Sequence, residues 1–250
     1  MPIRPGARTR AAGASCPKGP SALPGACDDW GVSTKVKICG CARPEDALLA
    51  AELGAWAVGM ILWPGSPRAC PPEVAEEIGS GLRRRLELVG VFVNATLDEV
   101  ALAADRYSLS ILQLHGDEGP AYCREAARRT GAHVMKAVRA RDAAAVRDLE
   151  RFYTDLHLLD AHVPGLRGGT GESFDWQLAH RHRGNTPLVL SGGLTPENVS
   201  EAVATVRPFA ADVASGVEAS PGVKDPERVE AFFAAVAAAA PADDPERAPA

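Results

Sequence analysis

Two side chains that could exchange protons end short apolar runs of this sequence. Cys39 ends the run that begins at Lys35, and Asp160 ends the run that begins at His157. A thiol and a carboxyl group suit general base and general acid catalysis when their surroundings move their pKa values toward neutrality. Taken alone, Cys39 is typical of a buried core cysteine and Asp160 of a helix or loop cap. The elements that carry them therefore decide what they do.

Two further apolar runs end in a serine followed by glycine. Ser191-Gly192-Gly193 follows one run, and Ser215-Gly216 follows the other. Glycine lets backbone N–H groups approach an anion closely, although ordinary turn glycines are the alternative. The sequence therefore predicts that Gly192, Gly193, Ser215 and Gly216 bind a phosphate group.

These groups are positioned by a strand-then-helix unit that recurs eight times. Near-continuous apolar strands are typical of a parallel sheet that helices cover. The strands are predicted at Lys35–Cys39, Ala57–Leu62, Glu87–Val93, Ile111–Leu114, His133–Val138, His157–Asp160, Pro187–Leu190 and Ala211–Ala214. Helix starts with proline in the first turn are predicted at Arg43-Pro44, Thr195-Pro196 and Asp225-Pro226.

Eight such units predict an α/β protein with a single (β/α)₈ TIM barrel. A doubly wound open sheet is the alternative, but no Gly-x-Gly-x-x-Gly follows the first strand. We place the barrel at residues 34–239. Residues 1–33 are rich in Pro, Gly, Ala and Arg and predict a disordered leader or an extended translation start, and residues 240–250 predict a disordered tail.

Composition excludes several classes of partner. A hydrophobic fraction of 46% is globular, and a formal charge of −5 argues against nucleic acid as a partner. No stretch approaches the ~20 apolar residues of a membrane span. The six cysteines lack zinc-ligand spacing, so we expect no metal and a reducing, cytoplasmic location.

Taken together, the motifs resemble the phosphoribosylanthranilate isomerase family of tryptophan biosynthesis. The resemblance runs from residue 35 to about 236, in family order, with no single motif specific by itself. The segments that carry it are Val36–Gly40, Pro64–Arg68, Val89–Asn94, Gln113–Glu118, Leu158–Asp160, Gly168–Gly171, Phe174–Trp176, Ser191–Asn198 and Asp212–Glu218.

The resemblance implies an Amadori rearrangement of a phosphoribosyl aminobenzoate without a cofactor, in a monomer or homodimer that binds a small phosphosugar. It implies that Asp160 is the general acid and Cys39 the general base, and that Arg68 pairs with the aminobenzoate carboxylate. His115 and Asp212 contact the sugar or only brace loops. A flexible glycine loop, Gly168–Gly171, would close over the substrate beside Asp160.

Related barrels with phosphosugar substrates are the alternatives. The histidine-pathway isomerase and dual-substrate isomerases use an aspartate where Cys39 stands. Indole-glycerol-phosphate synthase depends on lysine and glutamate at strand ends, whereas Lys37 and Lys136 precede the ends here and are expected in packing or structural ion pairs. A non-catalytic, ligand-binding barrel would not need both Cys39 and Asp160.

Overall fold

Eight parallel strands close into a barrel in this computed structural model, which describes residues 33–161 and 176–239. Each strand pairs with its neighbours in chain order, and β8 pairs with β1. The bounds lie within one residue of the predicted ones. The strands are β1 Lys35–Cys39, β2 Ala57–Ile61, β3 Glu87–Phe92, β4 Ile111–Leu114, β5 His133–Arg139, β6 Leu156–Asp160, β7 Leu188–Ser191 and β8 Ala210–Val213.

Helices connect the strands and cover the outside of the barrel. They are α1 Pro44–Glu52, α2 Pro72–Leu82, α3 Leu97–Arg106, α4 Pro120–Thr130, α5 Ala143–Asp148, α6 Val199–Val206 and α7 Pro226–Ala239. Between β6 and β7 the described residues hold one 3₁₀ helix, Trp176–Arg181. A short antiparallel hairpin, β9 Glu218–Ser220 and β10 Val223–Lys224, precedes α7 and was absent from the sequence expectation. Residues 1–32 of the expected leader, the expected tail and the Gly168–Gly171 loop lie outside the described residues.

The helix starts agree with the proline signals except at α6. Asp225 Oδ1 accepts hydrogen bonds from the N–H groups of Glu227 and Arg228 at the start of α7. The start predicted at Thr195 is wrong, because α6 begins at Val199. Asn198 Oδ1 accepts from the N–H of Thr195 at 2.8 Å, which closes a separate turn. Side-chain hydrogen bonds of this kind satisfy backbone N–H groups in a turn, without the need for a helix.

The two faces of each strand have different surroundings. Ile38, Leu112 and Leu114 lie in the large apolar cluster between barrel and helices. Residues that alternate with them point the other way, because successive side chains of a strand face opposite sides of the sheet. On β1 these are Lys37 and Cys39, so the inward face of the barrel carries polar groups near its carboxyl-terminal rim.

Two glycines of α2 give a matched test of this packing. A Cβ on Gly79 would lie 2.5 Å from the carbonyl oxygen of Tyr107, whereas a Cβ on Gly81 would meet nothing within 4 Å. We expect Gly79→Ala to lower the free energy of unfolding by about 1–3 kcal/mol through overpacking. Gly81→Ala should raise it by about 0.5–1 kcal/mol through helix propensity and reduced chain entropy. Urea unfolding measures both, and shifts of the same sign would contradict this packing.

Candidate active site

A buried ion pair lies beside the thiol at the end of β1. Lys37 Nζ donates a hydrogen bond to Asp212 Oδ1 at 2.8 Å, and Ser191 Oγ donates to Asp212 Oδ2 at 2.9 Å. Lys37 is 0% exposed and Asp212 is 3% exposed. Charges so deeply buried persist only when they are paired. Asp212 lies within β8, and its carboxylate holds Lys37 in place.

Burial and charge act on Cys39 in opposite directions. Burial raises the pKa of the Cys39 thiol, the ammonium of Lys37 lowers it, and the carboxylate of Asp212 raises it again. The net direction is upward. The cation that would lower the thiol pKa is thus present as Lys37, but the cost of burying a thiolate is larger. Burial also lowers the pKa of Lys37, yet its anionic neighbours outweigh this and raise it, so the lysine stays charged.

Gly59 on β2 provides the space that these groups occupy. It is the register partner of Cys39, and a Cβ there would lie 2.8 Å from Cys39 Sγ and 3.2 Å from Lys37 Nζ. Any larger residue would push the thiol or the ammonium aside. Sequence reasoning missed this position, although a glycine inside a strand often marks a close approach.

A second polar cluster surrounds Asp160 at the end of β6. His115 Nε2 lies 3.4 Å from Asp160 Oδ2, and Gln113 Nε2 lies 3.2 Å from His115 Nδ1. With the Gln113 amide as donor, Nδ1 accepts and the ring proton sits on Nε2, which faces the carboxyl group. The side chains of His115 and Asp160 are 24% and 16% exposed. This cluster therefore meets solvent at the barrel mouth.

The two clusters share one rim of the barrel. Around the closed sheet, β8 and β7 separate β1 from β6. Ser191 is the register partner of Asp160 and donates its hydroxyl proton to Asp212, so it stands between the clusters. A thiol and a carboxyl group thus line the same mouth with a row of polar side chains between them. This arrangement suits acid and base work on one small substrate.

The glycine loops after β7 and β8 lie against each other. A Cβ on Gly216 would fall 1.9 Å from the carbonyl oxygen of Leu194, so only glycine permits this approach. Gly192 and Gly193 have φ values of 94° and 68°. Among the described residues, their N–H groups donate to no other group. With Ser215 and Gly216 in the 3₁₀ turn Ser215–Val217, these loops form a candidate phosphate site.

Arg68 lies beside the end of β1 through its contact with Gly40. Its Cδ would be 3.1 Å from a Cβ on Gly40, so the missing side chain leaves room for the arginine stem. Arg68 Nε donates to both oxygens of Glu218, at 2.9 and 2.8 Å. Within the described part of the chain no other atom of the guanidinium donates a hydrogen bond. Sequence reasoning singled out Arg68 but not Glu218.

The expectation that Lys37 and Lys136 form structural ion pairs is confirmed. Lys136 Nζ lies 2.9 Å from Glu118 Oε2, and both side chains are buried. In residues 33–161 and 176–239, no group of three or more His, Cys, Asp or Glu side chains is arranged to hold a metal ion. None of the described helices combines the length and the apolar character that crossing a bilayer would require.

Comparisons with known proteins point to one family. A family model described as N-(5'-phosphoribosyl)anthranilate (PRA) isomerase matches residues 36–235. The N-(5'-phosphoribosyl)anthranilate isomerase of Citrifermentans bemidjiense is 50% identical over 201 residues, which cover 80% of this chain and 96% of the relative. The crystal structure of phosphoribosyl anthranilate isomerase from Thermotoga maritima is 42% identical with a TM-score of 0.72, covering 81% of this chain and 98% of that one.

A further crystal structure of a phosphoribosyl anthranilate isomerase contains a ligand. It is a complex with reduced 1-(o-carboxyphenylamino)-1-deoxyribulose 5-phosphate. That chain is 40% identical with a TM-score of 0.69, and the match covers 82% of this chain and 98% of the other.

The charges around Cys39 predict opposite effects of two substitutions. We expect Lys37→Met to raise the pKa of the thiol, because a cation that favours the thiolate is lost. Asp212→Asn should lower it, because an anion is removed and Lys37 becomes free to pair with the thiolate. At one mildly alkaline pH, iodoacetamide should modify Cys39 more slowly in the first variant and faster in the second, as mass spectrometry of the Cys39 peptide reports.

The buried thiol of Cys123 on α4 is the internal control for this measurement. Its modification rate should be the same in all three proteins, provided that circular dichroism shows each to be folded. Equal Cys39 rates, or the reverse order, would contradict the electrostatic account.

Proposed function

The chain belongs to the N-(5'-phosphoribosyl)anthranilate isomerase family, and from this membership we propose how its residues divide the reaction. The enzyme isomerises N-(5'-phosphoribosyl)anthranilate, an aminoaldose, to the aminoketose 1-(2-carboxyphenylamino)-1-deoxyribulose 5-phosphate in tryptophan biosynthesis. This Amadori rearrangement needs a proton donor to open the sugar ring and a proton acceptor at the sugar's C2. The observation that supports our assignment is the placement of Cys39 and Asp160 on one barrel rim.

Asp160 acts as the general acid in this proposal. Its carboxyl proton goes to the ring oxygen of the ribose, the bond from that oxygen to C1 breaks, and the nitrogen lone pair forms the Schiff base. The partly exposed position of Asp160 at the mouth leaves it accessible to the sugar. His115, whose Nε2 faces the same carboxyl group, contacts a sugar hydroxyl beside it.

Cys39 acts as the general base in its thiolate form. It removes the C2 proton, and the electrons move to give an enolamine. Protonation at C1 with loss of the proton of the C2 hydroxyl then gives the ketone of the aminoketose. Because the pKa of the thiol is raised, only a small fraction is thiolate at neutral pH. Lys37, and to a smaller extent Lys224, lower the pKa and so favour the thiolate. Holding C2 against the sulfur therefore contributes to the rate alongside base strength.

Three further contacts bind the substrate in this proposal. Gly192, Gly193, Ser215 and Gly216 take the phosphate through backbone N–H groups and the serine hydroxyl. Arg68 takes the anthranilate carboxylate, since the guanidinium fork matches a carboxylate. Each oxygen of Asp212 already accepts one hydrogen bond and retains a lone pair for a sugar hydroxyl.

We also propose a reducing, cytoplasmic setting for the enzyme. The described cysteines Cys39, Cys41, Cys70 and Cys123 are free thiols, which supports a reducing, cytoplasmic location. A monomeric or homodimeric state stays a prediction for this chain, as do the ends assigned to the barrel domain.

Removing either proton-transfer group should lower turnover strongly. We expect Cys39→Ala and Asp160→Asn each to lower kcat by about 10²-fold or more, the usual contribution of a positioned acid or base. The assay follows the fluorescence decay of phosphoribosylanthranilate, made in situ from anthranilate and phosphoribosyl pyrophosphate, with the aminoketose phosphate identified as product.

Cys41→Ala is the matched control, because this buried thiol lies two residues away in the outer apolar cluster. Its kcat should stay within about twofold of the parent value. Turnover close to the parent's in Cys39→Ala or Asp160→Asn would show that the role is misassigned.

Loss of the Arg68 guanidinium should weaken binding more than chemistry. We expect Arg68→Ala to raise KM by about tenfold or more, since a charge-assisted hydrogen bond contributes roughly 1.5–3 kcal/mol, with a smaller effect on kcat. Arg106→Ala is the control, because that exposed guanidinium pairs with Glu76 on the helical surface. A KM for Arg68→Ala equal to that of the control would refute the carboxylate contact.

A further inference from the structure

Lys224 on β10 is fully buried and uses its ammonium group on three acceptors. Nζ donates to the carbonyl oxygen of Cys39 at 2.6 Å, to the carbonyl oxygen of Ala214 at 3.0 Å and to Glu218 Oε1 at 3.0 Å. An ammonium group has three protons, so its donor capacity is filled. No role has been assigned to this lysine so far, although all three acceptors belong to the active-site rim.

Each acceptor of Lys224 belongs to a different part of the site. Cys39 carries the proposed base, and Ala214 directly precedes the proposed phosphate turn at Ser215. Glu218 begins the β9 strand and accepts the Nε hydrogen bond of Arg68. The backbone N–H of Lys224 donates to the buried Asp46, which fixes the hairpin to α1. One side chain thus connects the base, the phosphate turn and the carboxylate site.

Glu218 orients Arg68 by binding the Nε edge of the arginine guanidinium. Both carboxylate oxygens lie within 2.9 Å of Nε, and the Glu218 side chain is only 3% exposed. The Nη groups are left for a carboxylate that approaches from the mouth. Without a cation beside it, the Glu218 carboxylate would repel the carboxylate of the substrate. The ammonium group of Lys224 offsets the negative charge of Glu218.

We propose that Glu218 and Lys224 are positioning residues that aim Arg68 at the substrate carboxylate and tie it to the strand end that carries Cys39. This inference rests on the role proposed above for Arg68. It predicts that the effect of altering Glu218 on substrate binding passes through Arg68, whereas a merely structural pair would affect binding independently of Arg68.

The test is a double-mutant cycle between Glu218→Gln and Arg68→Ala. A glutamine at 218 keeps the shape of the side chain, but it removes the negative charge. In either orientation its NH₂ group replaces one of the two oxygens that accept from Arg68 Nε, so the contact that orients Arg68 is weakened. The probe is the reduced aminoketose phosphate. Calorimetry measures its Kd for the parent, both single variants and the double variant. Inorganic phosphate is measured as a second ligand. We expect Glu218→Gln to raise the Kd of the reduced aminoketose phosphate about tenfold in the parent and less than about twofold in Arg68→Ala.

Glu118→Gln is the matched control, because Glu118 and Lys136 form an equally buried pair that makes no contact with Arg68. Its effect on the same Kd should be equal in the parent and in Arg68→Ala, and the Kd of inorganic phosphate should change less than about twofold in Glu218→Gln. Lys224→Met extends the test to turnover. It should raise KM and also lower kcat, because the Cys39 carbonyl loses its donor.

Equal fold changes from Glu218→Gln in the two Arg68 backgrounds would overturn the inference while leaving the proposed function intact. If Arg68→Ala alone leaves the Kd of the reduced aminoketose phosphate unchanged, the role of Arg68 fails and the inference fails with it. If Lys224→Met does not fold, the cycle with Glu218→Gln still decides the question.

Discussion

A buried ammonium group needs an anion beside it, and this constraint organises the mouth of the barrel. Lys37, Lys136 and Lys224 are each at least 97% buried, and each pairs with a carboxylate within 3.0 Å. Removing one partner of such a pair costs about 3–5 kcal/mol, so each pair strongly restrains the segments it joins. Of the three, the Lys37–Asp212 pair bears most directly on the proposed chemistry, because after burial its two charges have the largest effects on the pKa of Cys39.

The two proton-transfer groups have contrasting environments that suit their proposed roles. Cys39 is 6% exposed and lies against a buried cation, which limits its contact with water while favouring the thiolate. Asp160 is more open and lies beside a histidine at the solvent side of the rim. An acid that must reach the ring oxygen and a base that must reach C2 can then act from two sides of one sugar. Ser191 on β7, between them, gives the two clusters a fixed spacing through its bond to Asp212.

Local signals explain why the strands, and the positions of Cys39 and Asp160 at strand ends, could be predicted from sequence. Short apolar runs that end in Cys39 or Asp160 need no long-range information to be recognised. Glu218 and Arg68 are 150 positions apart, and Lys224 and Cys39 are 185 apart, so no spacing rule could connect them. These contacts exist only because β8 closes against β1 and brings the last hairpin to the first strand end. The start of α6 was mispredicted for a different reason, since Thr195 and Asn198 bond each other locally in a turn.

The central claim is that the Cys39 thiolate, favoured by Lys37, is the base of the reaction. The most direct measurement compares two pKa values of the unmodified enzyme. One is the pKa of the Cys39 thiol, titrated by its thiolate absorbance against the Cys39→Ala variant. The other is the pKa of the ascending limb of kcat/KM, which reports the essential base of the free enzyme. We expect the two pKa values to coincide above the ordinary thiol value, and an ascending limb unrelated to the thiol titration would contradict the role of Cys39 as the base.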